Sequence, residues 1–180
     1  MLAVRDEGIM KAHFQRMAAY NRWANARLYD AAGRLSPAAL SETRSGFFPS
    51  ILKTLNHILV ADTVWMGRLE GAGHPGVTAL DQVLHADFPS LKAARTAMDE
   101  RIIAFVDELA PARVQEDLVY RTMGGEPART PLEQVLAHVF NHQTHHRGQA
   151  HAMLSSTQIA PPPLDLIYFL RDHPEMAGRR

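Results

Sequence analysis

The chain has 180 residues, of which 46% are hydrophobic and 21% charged, a balance typical of one globular domain with its own core. Lys plus Arg and Asp plus Glu both number 19, so the zero net charge argues against nucleic acid or an acidic membrane as main partner. Cysteine is absent, which fits a reducing compartment and restricts any metal site to nitrogen and oxygen ligands. We predict a single domain over residues 1–180, with loose ends at 1–9 and 173–180.

The N-terminal residues and the hydropathy pattern predict a cytoplasmic protein. Arg5, Asp6 and Glu7 stand where a signal peptide needs an unbroken apolar run. No segment reaches the ~18 apolar residues that a membrane span requires. Met10 is either an alternative start or the first residue of a helix, and the pattern does not separate the two.

Apolar residues recur at the three- and four-residue spacing of an amphipathic helix in four long segments. These segments lie at about 10–33, 49–71, 89–109 and 131–153. A short apolar segment at 164–170 predicts one further helix, packed on the bundle.

Two short extended runs flank Gly124-Gly125, and they predict a small β-hairpin before the last long helix. Thr130, Pro131 and Glu133 then predict how that helix begins, with Thr130 as N-cap and Glu133 completing a capping box. The expected fold is therefore all-α, a four-helix bundle with a small β-hairpin or extended insertion before the last long helix.

Histidine is concentrated in that last helix, where five of the ten histidines lie between Leu136 and Met153. Because residues four apart share a helix face, His138, His142 and His146 form a ladder. Residues eight apart differ by about 80° in direction around the helix axis, so one ion can bind two adjacent histidines of the ladder. A helical wheel points His142 and His146 toward the core and leaves His138 at its border. The other histidines of the segment, expected in solvent, are His145 and His151.

Two inward imidazoles are either satisfied core residues or ligands of a divalent ion, because burying them unbonded is unfavourable. A zincin-type peptidase would need Glu directly after the first histidine, and Gln143 disfavours that mechanism. The pair leaves a metal short of ligands, so a third must be a His, Asp or Glu from elsewhere. His57, on the second predicted helix, is the most economical candidate, although periodicity only permits it to point inward. The histidines expected on the surface are His13, His74, His85 and His173.

Catalytic residues are not evident from the pattern. Gln149 lies near the ladder on the wheel, but an amide cannot act as a general base. Arg147 either contacts an anionic substrate or is a solvated arginine. Trp23 and Trp65 are expected in the core rather than as ligand platforms.

The segment from His142 to Gln149 ends in His-Arg-Gly-Gln at 146–149. With residues 20–25, 55–65 and 165–168, it resembles the DinB/YfiT family of metal-binding helical proteins, which is unrelated to the DNA polymerase named DinB. Only the His-Arg-Gly-Gln element is specific by itself, and the other segments add weight through their order and spacing.

The resemblance implies a four-helix bundle, commonly dimeric, with a divalent ion bound by His57, His142 and His146. Zinc or nickel is expected, with manganese or iron as alternatives. Three histidines without a fourth protein ligand resemble an open catalytic site rather than a closed structural one.

Members of this family include thiol-dependent transferases and an isomerase that uses a low-molecular-weight thiol. The chain is therefore expected to be a homodimeric, metal-dependent enzyme for a small molecule, either a thiol-dependent transferase or a hydrolase. The alternative is a non-catalytic metal- or ligand-binding stress protein.

Overall fold

The computed structural model describes residues 2–74 and 76–177. The helices, in chain order, are α1 (Leu2–Ala32), α2 (Pro37–Ser41), α3 (Ile51–Leu69), α4 (Phe88–Glu108), α5 (Leu132–Leu154) and α6 (Leu166–Asp172). Short 3₁₀ turns cover Pro111–Gln115 and Pro174–Met176. The four longest helices correspond to the four periodic segments, and α1 begins before Met10. Residues 1 and 178–180, at the tips of the predicted loose ends, lie outside the described residues.

Side-chain caps begin three of the helices. Ser36, Ser50 and Asp87 each accept a hydrogen bond from the backbone N–H three residues later, at the starts of α2, α3 and α4. Such a cap satisfies one of the N–H groups that the first turn leaves without a helical partner.

The predicted hairpin is confirmed. Strand β1 (Asp117–Arg121) pairs antiparallel with β2 (Pro127–Pro131), and Asp117 lies opposite Pro131. Gly125 in the turn has a φ of 86°, in the left-handed region that glycine enters without a steric penalty.

The predicted capping box of α5 is wrong. Thr130 belongs to β2, where it pairs with Leu118, and its hydroxyl lies 3.4 Å from the Tyr120 hydroxyl. The residue that precedes the helix is Pro131, and it makes no side-chain cap hydrogen bond. Instead, the backbone N–H of Leu132 donates to the Glu116 carbonyl at 2.8 Å, so the hairpin leads directly into the helix.

The bundle forms because α1 packs along α4 and α5, while α3 packs against the same two helices. The short helix α6 covers one end of α1, where Phe169 packs its ring edge against Tyr20 and Trp23. This architecture confirms the predicted four-helix bundle with a hairpin insertion. In residues 2–74 and 76–177, no helix has both the length and the apolar character needed to cross a bilayer.

Candidate metal site

Three histidines from two helices converge at one point. His57 lies on α3, and its Nε2 is 3.2 Å from the Nε2 of His142 and 3.2 Å from the Nε2 of His146, both on α5. One ligand atom from each residue falls within 4.8 Å of the other two. The structure thus brings together the three residues that the sequence singled out as metal ligands.

Hydrogen bonds to the opposite ring nitrogen orient two of these imidazoles. The Nδ1 of His57 lies 2.8 Å from the Leu80 carbonyl oxygen, and the Nδ1 of His146 lies 2.8 Å from Oε1 of Gln149. Both oxygens can only accept, so each Nδ1 carries the proton and donates. In the neutral rings, the two Nε2 atoms therefore present lone pairs. The ring of Phe48 stacks on His57 with centroids 4.0 Å apart and limits its rotation.

Two lone pairs that face each other at 3.2 Å repel unless a cation lies between them. Protonating one ring would also relieve the repulsion, but burial lowers the pKa of both His57 and His146. Burial, together with the neighbouring imidazoles, lowers the pKa of His142 to about 3. All three rings are therefore neutral at pH 7, which is the form that binds metal.

The spacing of the nitrogens fits a small divalent ion. At Zn–N distances of about 2.0–2.1 Å and tetrahedral angles, ligand nitrogens lie about 3.3 Å apart, close to the 3.2 Å separations of the Nε2 pairs. Within the described part of the chain, these three side chains are the one group of His, Asp or Glu residues close enough together to hold an ion. The donor set would thus leave coordination positions open for a substrate.

The remaining histidines of α5 lie outside the cluster. His138 is exposed, and its ring centroid is 5.7 Å from that of His142 and 5.1 Å from that of Trp65. His145 is exposed, as expected. His151, also expected in solvent, is half-buried, with its Nε2 2.9 Å from the Pro162 carbonyl oxygen.

The buried face of α5 is wider than its apolar residues suggest. It includes Gln143 and Arg147, which are 0% and 2% exposed, so its centre lies about 100° from His142, at Gln143. His142 and His146 consequently stand at the edge of the core and are half-buried. A metal ion at that edge would be within reach of substrate from solvent.

Arg147 is 2% exposed, so the interpretation of a solvated arginine is wrong. It belongs to a buried polar cluster that joins α1, α3, α4 and α5. The members of this cluster, all at most 4% exposed, are Asn21, Asn25, Asp62, Arg95, Asp99, Gln143 and Arg147. Two arginines and two aspartates balance its charge.

Direct hydrogen bonds connect the polar cluster from helix to helix. Arg95 donates from Nη1 to Asp62 at 2.5 Å and pairs with Asp99 at 3.0 Å. Gln143 donates to the same Asp62 oxygen at 2.5 Å, while Arg147 donates to Asn21 at 2.6 Å. Burial raises the pKa of Asp62 to about 6, against the opposing effect of Arg95. Asp62 is therefore largely ionised at pH 7.

The two tryptophans are half-buried rather than core residues. Trp65 packs edge-on against Tyr120 of the hairpin, and the Arg68 guanidinium lies 4.6 Å from the Trp65 ring centroid. Trp23 lies beside α6, where its ring packs edge-on with Phe169.

Comparisons with known proteins agree with the fold and the residue pattern. The sequence profile described as "DinB family" matches residues 10–176. Protein DinB of Bacillus subtilis (strain 168) is 26% identical over 156 residues, which cover 84% of this chain and 90% of that protein. The crystal structure of a DinB-like protein from Bacillus cereus ATCC 10987 has the same fold, with a TM-score of 0.60 at 18% identity over 78% of this chain and 89% of that one. Because the family profile spans nearly the whole sequence, the chain belongs to the DinB family.

Proposed function

We propose that His57, His142 and His146 bind one divalent ion, zinc or nickel, and that the protein is a metal-dependent enzyme for a small molecule. The observation that carries the proposal is the pair of Nε2 lone pairs, on His57 and His146, held face to face at 3.2 Å. Manganese would fit the same nitrogen donors less well, because it favours oxygen ligands, whereas imidazole also suits iron. A bound ion supplies Lewis acidity, which lowers the pKa of a water or thiol ligand.

The chain's own groups hold the ligands in place. The Leu80 carbonyl and the Gln149 amide fix which nitrogen of His57 and His146 carries the proton, and they make the opposite nitrogen more basic. Gln149 also bonds the exposed His145, with its amide nitrogen 3.1 Å from the His145 Nε2. This contact orients the amide so that its oxygen faces His146.

His138 is the group best placed to accept a proton from the nucleophile. It lies one helical turn before His142, it is exposed, and Trp65 packs against its ring. Burial of part of the ring lowers its pKa, so the imidazole is neutral at pH 7 and able to take up a proton. A neutral base beside an open metal site suits both hydrolysis and activation of a low-molecular-weight thiol.

The alternative function is a non-catalytic metal- or ligand-binding protein. It is favoured by the two amides, Gln143 and Gln149, that neighbour the ligands, because neither can transfer a proton. The two functions share the metal site and differ in whether His138 takes part in chemistry.

Metal analysis of the purified protein tests the site. We expect close to one divalent ion per chain by inductively coupled plasma mass spectrometry. Alanine at His57, His142 or His146 should remove it, because two imidazoles hold an ion far more weakly than three. His13→Ala, at an exposed histidine of α1 outside the cluster, is the control and should keep its metal. Full metal content in His146→Ala would refute the assignment.

Turnover assays separate the enzyme from the inert binder. Electrophiles should be tested with glutathione, bacillithiol and mycothiol, beside panels of esters and amides. With any active substrate, His138→Gln should lower kcat by about 10²-fold, the usual contribution of a general base, while the metal content stays unchanged. No turnover with any thiol or water substrate would favour the non-catalytic alternative.

The homodimer and the cytoplasmic location stay predictions. Light scattering coupled to size exclusion would test the first, with a mass near 40 kDa expected from two chains of 20.0 kDa each. A mass near that of one chain would contradict it.

A further inference from the structure

Arg68, near the end of α3, is held by two aromatic rings. Its guanidinium carbon lies 4.6 Å from the ring centroid of Trp65, on the same helix, and 4.9 Å from that of Tyr120, on the hairpin. In residues 2–74 and 76–177, no carboxylate forms an ion pair with it. A partly desolvated cation without an anion has lost hydration that nothing in the described chain replaces.

Only part of the Arg68 guanidinium is covered. Its Nε is buried and has no hydrogen-bond partner, but the side chain as a whole is half-buried. Neither Nη nitrogen donates to a described residue, and neither is among the buried atoms that lack a partner. Both Nη groups therefore reach solvent, and a ligand can approach them.

Arg27 shows the same arrangement with an anion added. Its guanidinium carbon also lies 4.6 Å from a tryptophan ring centroid, that of Trp23, and its Nε is also buried without a partner. In contrast to Arg68, Arg27 pairs through Nη1 with Asp172 at 3.6 Å. The chain thus supplies the carboxylate at one stacked arginine and not at the other.

Contacts between rings connect Arg68 to the histidine cluster. The ring centroid of Trp65 lies 5.1 Å from that of His138, which lies 5.7 Å from that of His142. Arg68 follows His57 by eleven positions on α3, which is about 16 Å along the helix axis. Its guanidinium lies over Trp65, one turn nearer His57, so a molecule of roughly 10–15 Å could reach both places.

A guanidinium presents its N–H groups as a planar fork that matches two oxygens of a carboxylate or phosphate. The rings of Trp65 and Tyr120 hold this fork in place, so little side-chain freedom is lost when an anion binds. An uncharged molecule would gain neither the paired hydrogen bonds nor the attraction between charges.

We propose that Arg68 binds an anionic group, a carboxylate or a phosphate, at one end of the small molecule whose other end reacts at the histidine cluster. Trp65 and His138 contact the part in between. The anion site depends only on Arg68 and its rings, whereas the link to a substrate rests on the proposed function, so two experiments test them separately.

A nuclear magnetic resonance titration of the metal-free protein tests the anion site. The chain has two tryptophans, so it gives two indole N–H signals, which Trp65→Phe assigns. Acetate and inorganic phosphate should each shift the Trp65 signal to saturation, and the tighter of the two identifies the preferred group. The Trp23 signal, beside the paired Arg27, should stay in place, as should both signals with acetamide or with chloride at equal ionic strength.

Two variants assign the anion site to the guanidinium. Arg68→Gln should abolish the saturable shift, whereas Arg27→Gln, at the stacked arginine that already has a carboxylate, should leave it unchanged. Arg68→Lys keeps the charge and should retain weak binding. This distinguishes a lost anion site from a disturbed hairpin, because a hairpin that depends on the stacked guanidinium would be disturbed in both Arg68 variants.

A second experiment, on the cobalt-loaded protein, tests the link to the histidine cluster. Linear ω-mercapto acids and ω-mercapto alcohols of matched length bind cobalt through sulfur, and the thiolate-to-cobalt absorption gives each Kd. At one chain length the acid should bind about tenfold more tightly than the alcohol, in line with hydrogen bonds to a charged group. Arg68→Gln should remove that difference and leave the affinity of the alcohol unchanged.

Three results would overturn the anion site: no saturable Trp65 shift with either anion, the same shift in Arg68→Gln, or an equal shift at Trp23. Equal affinity of acid and alcohol at every length would overturn the link between Arg68 and the substrate. If no thiol bound cobalt, the proposed function and that link would both fail, and the Trp65 titration would still decide whether Arg68 binds anions.

Discussion

Helix α5 carries two polar faces about 100° apart, and the two have opposite character. His142 and His146 stand at the edge of the core with lone pairs turned toward one another. The residues that follow them, Gln143 and Arg147, are fully buried and bonded to other helices. One face is satisfied within the protein, and the other carries the proposed metal ligands. The difference separates a structural cluster from a candidate binding site on the same helix.

The comparison shows why burial alone does not identify function. The polar cluster is more buried than the histidines, and its charged groups are hydrogen-bonded within it, so removing one partner should damage the fold. The histidine cluster is half-exposed and should contribute to stability chiefly through a bound ion.

Asp62→Ala should have the largest effect, lowering the free energy of unfolding by about 3–5 kcal/mol. The substitution leaves the buried Arg95 without its 2.5 Å partner and removes an acceptor of Gln143. Urea denaturation of the parent and the variant, both without metal, measures the difference.

Lys92→Ala provides the control for Asp62→Ala. It breaks an ion pair with Asp30 at 2.6 Å, in which both side chains are largely exposed. Such pairs contribute at most about 1 kcal/mol. If Asp62→Ala were as mild as Lys92→Ala, the buried polar cluster would not hold the bundle together.

Metal should stabilise the parent by about 2.7 kcal/mol at a free zinc concentration one hundred times Kd. His142→Ala should lose this gain and otherwise unfold much like the metal-free parent. Asp62→Asn should start from a lower stability and keep the gain, because the histidines are untouched. Denaturation with and without zinc gives all three values, and a full zinc effect in His142→Ala would contradict the comparison.

Local patterns predicted the scaffold because each depends on neighbours in the chain. The 3.6-residue period located the long helices, Gly124-Gly125 located the hairpin, and the spacing of His142 and His146 selected the pair that converges on His57. His57 followed from the family resemblance, because periodicity on a helix buried on more than one side does not orient a single residue.

The polar cluster was missed because its partners are distant in sequence and a charged residue on a helix is usually solvated. Arg95 and Asp62 are 33 positions apart, and Arg147 and Asn21 are 126 apart. A signal was present nonetheless. Asn21 and Asp62 fall within the apolar faces of their helices, which indicates buried polar groups in need of partners.

The capping box of α5 failed for a different reason. Thr130 and Glu133 have the right spacing, but strand pairing extends to Pro131 and keeps Thr130 in the ladder. Long-range pairing thus overrode a local motif.

Gln149→Leu should lower zinc affinity by about 10- to 100-fold while the protein stays folded. The variant removes the acceptor of the His146 Nδ1–H at 2.8 Å, so the ring loses its fixed tautomer. Competition with a chromophoric chelator measures the affinity. Gln134→Leu, at an exposed position of the same helix, should bind zinc like the parent, and equal affinities in both variants would show that Gln149 does not support the ligand.

The pH dependence of the metal-free protein should give the smallest effect, and the two faces should differ in its sign. His142 has a lowered pKa of about 3 when folded, so below about pH 6.5 the unfolded chain binds the extra proton and stability falls as pH falls. Asp62 has a raised pKa of about 6, so its contribution is present below about pH 3.9 and is lost as pH rises through 6.

Between about pH 4 and 6 the two groups therefore oppose each other. His142→Gln should lose less stability on acidification than the parent, both measured with a chelator present. The reason is that the variant lacks the imidazole whose pKa is lowered in the folded state. Asp62→Asn should lose more, because the group that gains a proton in the folded state is gone. Urea denaturation at several pH values gives the slope of the free energy of unfolding against pH for each variant. The other titrating groups are common to all three proteins. If both variants changed this slope in the same direction, the two faces of α5 would not differ in their electrostatics as proposed.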